Sequence, residues 1–271
     1  MNKLHQEDIM KTYTKEELIE ELRRIKRRGW IASTRPGNVG GIGNTLEDLL
    51  GIEENNLPIP NASEWEMKCK RMGQSSLTTL FHMEPSPRAL KMVPKILLPL
   101  YGWPHEEAGT KHPSDEMSFR QTINGLSRTD RGFTIIVDRD ARKISVSFDV
   151  DAVSEKHEEW LASVEERIGV GELKPKPYWG FDDLYHRAGT KLLNCFYITA
   201  RVRKEKGKEY FRYEKMLMLE TLDLGKFVNG IENGLTLIDF DARTGHNHGT
   251  KFRMRQDRLP ELYAEVTIIE D

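Results

Sequence analysis

The chain contains 271 residues, 38% of them hydrophobic and 31% charged, which predicts a globular protein large enough for one domain or two modest lobes. Its net charge of −2 excludes a uniformly basic nucleic-acid coat, although a local basic cleft is compatible with it. Two distant cysteines exclude a disulfide framework, and the sequence has neither an apolar run of about 18 residues nor an apolar signal segment near its start. We therefore expect a cytoplasmic protein.

The first elements are a helix, a glycine-rich loop and a second helix. Residues 15–28 carry apolar side chains at helical spacing, with acidic residues early and basic residues late. Residues 31–44 predict a loop, and residues 45–50 a short helix that ends at Gly51. The loop lacks a preceding apolar strand and a Gly-Lys-Ser/Thr sequence, which disfavours a nucleotide-binding loop.

Further along the chain, alternating and helical patterns follow one another without an internal repeat or a long linker. They predict paired strands at 64–70 and 75–82, a helix at 88–101, a hairpin of 133–138 with 143–150, a helix at 153–168, a hairpin of 191–203 with 209–220, a helix at 222–234 and a strand at 235–243, before two terminal strands. This mixed order predicts an α/β fold with a mixed sheet.

Glu66 and Lys68 form an E-x-K triplet on the strand predicted at 64–70. Residues two apart on a strand point to the same side, so a carboxylate and an ammonium lie together there. One interpretation is a half-exposed strand whose surface ion pair contributes little to stability. The other is a hydrolytic site in which carboxylate oxygens hold Mg²⁺ and a nearby cation positions the attacking water. Glu47, on the helix at 45–50, is placed to join such a site.

The same segment carries a family motif. The sequence G-x-x-L-E-D-L-L-G, followed by a proline, Asn61, four residues and E-x-K, resembles the PD-(D/E)xK nuclease core, and more narrowly the MvaI/BcnI-type restriction endonucleases, which are related to the MutH mismatch-repair nickase. The likeness continues through SSLTTLF, PYWGFDDL, KEYFRY, GIENG and HNHGTKFR in the same order, over most of residues 29–255. E-x-K alone is a weak signal, whereas the ordered set is a specific one.

The resemblance implies a fold and an activity. The expected fold is a mixed sheet flanked by helices, in two lobes around a DNA cleft, with 1–115 as the catalytic lobe and 116–271 as the recognition lobe. The implied activity is that of a type II restriction endonuclease that hydrolyses double-stranded DNA at a CC-x-GG-like site with Mg²⁺. A monomer is expected, together with a DNA methyltransferase that protects the host site without forming a stable complex.

The resemblance also implies roles for individual residues. Position 61, Glu66 and the Met67 carbonyl would hold Mg²⁺, Lys68 would orient the attacking water, and Glu47 would support the site or bind another metal. This chain has Asn61 where the family motif has Asp. An amide offers one neutral oxygen and directs an NH₂ group at a cation, so Asn61 is expected to weaken metal binding. Either the chain is naturally impaired, or an Asp has been replaced so that DNA is bound without being cut.

A second group of candidate functional residues lies at residues 235–255. Alternation on the strand at 235–243 places three charged side chains on one side, which is compatible with a solvated surface or with base readout by acids at cytosine and by arginine at guanine. The sequence near HNHGT offers no further zinc ligands, and it does not predict the structural unit of a His-Asn-His nuclease around this segment. The resemblance assigns these elements to DNA contacts, and the predicted DNA-binding residues are Asp239, Asp241, Arg243, His246, Asn247, His248, Arg253, Arg35 and Lys70.

Two alternatives remain open from the sequence. The first is a nicking endonuclease of the MutH kind, which a repair protein recruits and which cuts one strand only. The second is a sequence-specific DNA-binding protein that no longer cuts because Asn61 is its native residue. The family has an acid where this chain has Asn247 and an arginine where this chain has Asp241, and both departures leave the recognised bases open.

Overall fold

The computed structural model describes residues 13–35, 37, 40–52, 64–73, 76–169 and 171–270. Its helices are α1 (Lys15–Arg27), α2 (Gly41–Leu50), α3 (Leu98–Tyr101), α4 (Glu158–Ile168), α5 (Phe181–Leu192) and α6 (Leu224–Glu232), with helical turns at Arg88–Leu90, Val93–Leu97, Glu155–His157 and Gln256–Leu262. Its strands are β1 (Ile31–Ala32), β2 (Trp65–Arg71), β3 (Leu77–His82), β4 (Trp103–Pro104), β5 (Met117–Ile123), β6 (Arg131–Asp138), β7 (Lys143–Val153), β8 (Tyr178–Gly180), β9 (Asn194–Glu205), β10 (Lys208–Leu222), β11 (Thr236–Arg243), β12 (His246–Asn247), β13 (Lys251–Arg255) and β14 (Tyr263–Ile268). The mixed α/β class is confirmed. In the described ranges, no helix combines the length and apolar character needed to cross a membrane.

The chain divides into two compact units that are both discontinuous in sequence. The first unit comprises Met1–Ser75, Gly189–Leu222 and Tyr263–Asp271, and the second comprises Ser76–Ala188 and Asp223–Leu262. The two units therefore interleave along the chain, whereas the sequence predicts a division near residue 115. The assignment of a catalytic and a recognition role to separate lobes stays a prediction.

The sheet of the first unit is mixed, as the sequence predicts. Its strands follow the order β1-β10-β9-β2, with β14 also pairing with β10. Only β2 and β9 run parallel in this sheet, and their register sets Glu66 beside Cys195 and Lys68 beside Tyr197. A parallel strand with helices over its face is buried on both sides. Accordingly, β2 buries Glu66 as well as its apolar neighbours.

Helix α1 forms as its sequence predicts. A capping box joins Thr14 to Glu17 at its N-terminus, satisfying backbone donors that the first turn leaves without partners. Leu18, Leu22 and Ile25 lie one helical turn apart and are buried against the sheet core of the first unit.

Helix α2 begins earlier than predicted. The sequence predicts a start at 45, but the helix starts at Gly41 after Gly40, which has no side chain to cap it. Thr45 lies inside the helix, where its hydroxyl accepts the backbone N–H of Thr34 at 3.2 Å. The polar side chain therefore ties the preceding loop to the helix instead of capping it. Gly51 ends the helix in the left-handed conformation, at φ 67°, as predicted.

The second unit contains two sheets. One has the order β3-β13-β11-β5-β4 with β12 on β11, and the other has the order β6-β7-β8. The predicted pairing of the strands at 64–70 and 75–82 is wrong, because β2 pairs with β9 whereas β3 pairs with β13. Gly73 does adopt a turn conformation, at φ 79°. A turn glycine reverses the chain without deciding which strand the next segment joins.

Candidate active site

Strand β2 places Glu66 and Lys68 on one side and Trp65 and Met67 on the other, as alternation predicts. Trp65 and Met67 belong to the apolar core of the first unit, where the Trp65 ring lies 4.6 Å from that of Phe196. Glu66 is only 2% exposed. The interpretation of a half-exposed strand with a surface ion pair is therefore wrong, because the carboxylate is buried on the opposite side too.

The Glu66 carboxylate lies between two lysines. Lys68 Nζ donates to Oε1 at 2.6 Å, and Lys191 Nζ lies 3.0 Å from Oε2. The lysine side chains are 16% and 17% exposed. Among the described residues, Oε2 receives this ion pair but no aligned hydrogen bond, so a buried anionic oxygen retains capacity for a further ligand.

Glu47 on α2 contributes to the electrostatics of this cluster. Burial alone would lower the pKa of Lys68, but the charge of Glu66 and its hydrogen bond, with Glu47 adding to them, hold that pKa above its ordinary value. Lys68 is therefore a firmly charged ammonium at neutral pH. Glu47 and Glu66 both act on this lysine, and their joint role in a site stays a prediction.

Cys195 lies beside Glu66 on the neighbouring strand, but it does not supply a nucleophile. Burial raises the pKa of its thiol to about 12, and Glu66 adds to the shift. The thiol is therefore neutral at physiological pH, and a neutral thiol is a weak nucleophile.

The remaining catalytic and phosphate-contact predictions have separate outcomes. Asn61 lies outside the described residues, so its position relative to Glu66 stays a prediction. Arg35 Nη2 lies 3.0 Å from Asp48 Oδ1 on α2, and Lys70 is partly buried near the end of β2. Arg35 is therefore engaged within the protein, and its contact with a phosphate, like that of Lys70, stays a prediction.

The second predicted cluster lies on β11 in the second unit. Its residues alternate strictly between buried and partly exposed, which places Asp239, Asp241 and Arg243 on one side as predicted. All three form ion pairs with neighbouring strands or with the loop before β5. The pairs are Asp239 Oδ2 to Arg253 at 3.0 Å, Asp241 to Lys251 and to Arg120 at 2.8 Å each, and Arg243 to Glu116 at 2.8 Å.

These pairs form a ladder of alternating charge across β5, β11 and β13. Burial alone would raise the pKa of Asp241, but the hydrogen bond and charge of Lys251, with the charges of Arg120 and His248, hold it below its ordinary value. Asp241 is therefore an ionised hydrogen-bond acceptor at neutral pH. Such a face presents both acceptors and donors, which are the kinds of group that read base edges.

HNHGT forms a short strand and turn at the end of this face. The exposed rings of His246 and His248 lie 4.2 Å apart in an edge-to-face arrangement, and Asn247 Oδ1 accepts the backbone N–H of Gly249 at 3.0 Å. Where the structure describes the chain, the group of three potential metal ligands is not here; it consists of His105, Glu107 and His112.

Lys191 and Arg120 are among the residues that sequence reasoning missed at these two clusters, as are Lys251 and Glu116. Lys191 lies in the last turn of α5, far from the E-x-K triplet in sequence. Arg120 faces Asp241 only because β5 pairs with β11. The available signal was weak: Lys191 and Arg120 are each a basic residue beside an otherwise apolar or alternating segment, and only the pairing of distant strands distinguishes it from a surface charge.

Comparisons with known proteins place the chain among restriction endonucleases. The model of the MvaI/BcnI restriction endonuclease family matches residues 19–263. The structure is similar to that of the restriction endonuclease MvaI in complex with its cognate DNA substrate, with a TM-score of 0.72, 27% identity, and coverage of 96% of this chain and 100% of that one. It is also similar to MvaI in the absence of DNA, with a TM-score of 0.56, 28% identity and the same coverage. No curated protein gives a significant sequence match.

Proposed function

Since the chain belongs to the MvaI/BcnI restriction endonuclease family, we propose that it is a type II, Mg²⁺-dependent endonuclease that recognises a short CC-x-GG-like sequence in double-stranded DNA. The observation that carries the proposal is the buried Glu66 carboxylate, which Lys68 and Lys191 flank, with the charge of Glu47 also acting on Lys68. The similar MvaI structure with cognate DNA supports duplex DNA as the substrate.

The donor set fits a hard divalent cation. Glu66 offers a buried carboxylate oxygen with capacity for another ligand, and Mg²⁺ is bound in proteins through one or two carboxylates with several waters. Glu66, position 61 and the Met67 carbonyl would hold the ion, and Glu47 would support the site. Bound Mg²⁺ supplies positive charge at the phosphoryl oxygens and lowers the pKa of water.

Lys68 has the direct role in the reaction. Its ammonium is held by Glu66 at 2.6 Å, which fixes its direction, and its raised pKa keeps it charged. It orients the attacking water and stabilises negative charge that develops on the phosphoryl group. The water oxygen bonds to phosphorus in line as the bond from phosphorus to the 3′ oxygen breaks, and that oxygen takes up a proton, leaving a 5′-phosphate and a 3′-hydroxyl.

Recognition is assigned to the charged face of β11 and the HNHGT turn. Asp239 and Asp241 would accept from cytosine amines, and Arg243 and Arg253 would donate to guanine, as a site containing G·C pairs requires. His246, Asn247 and His248 would contact base edges or phosphates next to them. We propose further that the enzyme acts as a monomer that nicks one strand and then the other, in the cytoplasm, and that a methyltransferase protects the host's own sites.

Asn61 favours a second candidate function. An amide at this position lacks the charge that a divalent cation requires, so the chain as it stands would bind its site and cut it weakly or not at all. A sequence-specific binding protein that has lost cleavage fits this residue. The two functions use the same recognition face. They differ in whether a site with Asn61 still cleaves the DNA.

Reversion of one residue tests the proposal. The Asn61→Asp protein and the unchanged chain are each incubated with a plasmid of known sequence and Mg²⁺, and the ends of the fragments are sequenced. Double-strand cuts at one short sequence with the reverted protein support the endonuclease, and binding of a fixed sequence without cutting by either protein supports the binding protein. Persistent nicks at hemimethylated sites would replace the proposal by a nickase of the MutH kind.

A further inference from the structure

A metal-ligating set lies outside both clusters, in the loop between β4 and β5. His105, Glu107 and His112 each offer one potential ligand atom, and all three atoms lie within 4.8 Å of one another. His112 Nε2 lies 3.9 Å from Glu107 Oε2. The rings of His105 and His112 meet edge to face, with centroids 4.7 Å apart.

We propose that His105, Glu107 and His112 bind one divalent transition-metal ion of the Zn²⁺ type, and that the ion fixes the loop between β4 and β5. Two imidazoles and one carboxylate are a donor set that Zn²⁺ takes, with a fourth position left for water. Imidazole nitrogen favours Zn²⁺, Co²⁺ or Ni²⁺ over Mg²⁺, which prefers oxygen ligands.

The spacing requires side-chain rotations that bring together ligand atoms now within 4.8 Å of one another. Zinc–ligand distances of about 2.0–2.2 Å put tetrahedral ligand atoms roughly 3.4 Å apart. The pair from His112 to Glu107 exceeds this by about half an ångström, which a small rotation of either side chain supplies. His105 is 6% exposed, so one ligand is anchored in the protein, whereas Glu107 and His112 are partly exposed and reach the ion from solvent.

The backbone of the loop is already fixed in a shape that holds the three residues together. The His105 N–H donates to the Glu116 carbonyl at 2.8 Å, which closes the loop at its base. The Glu107 carbonyl accepts the His112 N–H at 3.2 Å, and the His112 carbonyl accepts the Gly109 N–H at 2.9 Å. Gly109 has a φ of 74°, which allows this tight course. A preformed loop loses little conformational freedom when an ion binds.

Two existing contacts adjoin the ligand atoms, and the ion would change the one made by His105. Lys111 forms an ion pair with Glu107 through Oε1, while Oε2 is the oxygen nearer to His112. His105 Nδ1 accepts the backbone N–H of Glu107 at 3.1 Å. An ion at Nδ1 displaces that donor, and an ion at Nε2 requires the ring proton to move to Nδ1. In either case one hydrogen bond is exchanged for a ligand bond.

The location gives the ion a structural role. Glu116, at the end of the loop, is 4% exposed and receives Arg243 of β11 at 2.8 Å, and β5 begins at the next residue. An ion that fixes the loop therefore stabilises the start of β5 and the partner of Arg243 within the second unit. The role does not depend on DNA cleavage.

A cobalt titration of the whole, metal-free chain tests the site. Tetrahedral Co²⁺ absorbs strongly in the visible region, and Zn²⁺ then displaces it and abolishes the absorption. We expect the chain to bind about one Co²⁺ in this way and Zn²⁺ to raise its melting temperature, because binding to the folded state alone stabilises it. Excess Mg²⁺ is expected not to displace the cobalt.

The variants are His112→Asn and Glu107→Gln, both at partly exposed positions, with His248→Asn as the matched control at the other histidine pair. Each of the first two should weaken Co²⁺ binding by at least the roughly 10–100-fold seen when outer partners of a metal site are lost, and should abolish the thermal shift. His248→Asn should bind as the unchanged chain does, and circular dichroism verifies that all variants fold. Unchanged binding by both ligand variants, loss of binding in the control alone, or no cobalt absorption at all would overturn the proposal.

Discussion

The ammonium group of Lys191 lies 3.0 Å from one carboxylate oxygen of Glu66. The other oxygen is bound by Lys68, so one buried carboxylate pairs with two ammonium groups that are themselves largely buried. Removing one partner of a buried ion pair is more costly than removing a surface pair, because it leaves uncompensated charge in a poorly solvated place. Glu66 is therefore expected to support the fold as well as the chemistry.

Glu66→Gln is predicted to lower the free energy of unfolding by about 3–5 kcal/mol, since two ammonium groups then face a neutral amide. Urea denaturation of the full chain measures the change. Glu64→Gln is the matched control, because Glu64 is exposed just before β2, and its effect should lie within about 0.5 kcal/mol. Equal stability of the Glu66 variant and the control would show that solvent already screens the cluster.

Lys68→Ala, in a chain that also carries Asn61→Asp, is predicted to reduce DNA cleavage by several orders of magnitude while DNA affinity changes little. The reason is that Lys68, in its proposed role, stabilises charge that develops during the reaction, whereas the proposed DNA contacts lie mainly on other residues. Single-turnover cleavage and filter binding in Ca²⁺ separate the two quantities. Full activity of the variant would refute the role, and an equal loss of binding would make Lys68 a DNA contact instead.

Lys191 is predicted to act as a positioning residue that holds Oε2 of Glu66. Lys191→Met in the same Asn61→Asp background should lower kcat by more than it raises KM, because it disturbs the reacting groups and leaves the rest of the interface intact. Lys191→Arg keeps the charge and should recover part of kcat. Recovery by arginine distinguishes positioning from general packing, which methionine would already satisfy. A change confined to KM would place Lys191 among the DNA contacts.

The contact between Lys191 and Glu66 also shows which contacts local sequence patterns do not predict. Glu66 and Lys68 are two residues apart, so the two-residue period of a strand predicts that their side chains lie on the same side. The same period predicts that the charged side chains of β11 share one side. Lys191 reaches Glu66 because β9, which follows α5, runs parallel to β2. Such long-range pairing has no local signature, and for the same reason the predicted pairing of the segments at 64–70 and 75–82 was wrong.

Burial was the other property that local patterns misjudged. Alternation gave the direction of Glu66 correctly, yet an alternating strand and a strand covered on both sides differ only in what packs over the second face. The sequence predicts the charged side chains of β11 one by one, but it does not predict the ion pairs that join them to neighbouring strands. The partners Lys251 and Arg120 come from β13 and β5, whose registers the sequence does not specify. The metal-ligating loop at 105–112 was overlooked because its three ligands are irregularly spaced.

Arg243→Lys is predicted to relax discrimination at one base pair of the recognised site, by about 1–3 kcal/mol, with little change in non-specific affinity. Lysine keeps the charge and the pair with the buried Glu116, but it loses the planar fork that binds two acceptors of guanine. Competition binding against duplexes with single substitutions measures the effect. Arg142→Lys, on the turn between β6 and β7 in the other sheet, is the matched control. A uniform loss across all duplexes would make Arg243 a phosphate contact.

Asp241→Asn is predicted to destabilise the chain at neutral pH and to lose this effect in acid. Burial acts to raise the pKa of Asp241, but Lys251, Arg120 and His248 together hold it below the ordinary value of 3.8. The folded state therefore favours the carboxylate, and the resulting stability is present above pH 3.8 and is lost as the pH falls through the lower folded pKa.

Urea denaturation at a series of pH values measures the difference between the unchanged chain and the Asp241→Asn variant. The deficit of the variant should be constant from neutrality down toward pH 3.8 and should shrink below it. In a Lys251→Met background the deficit should be smaller at every pH, because the largest favourable partner is gone. A deficit that stays the same in acid would show that the shape of the side chain matters and its charge does not. One that grows in acid would mean that Asp241 is protonated more readily in the folded state, contrary to the arrangement of cations around it.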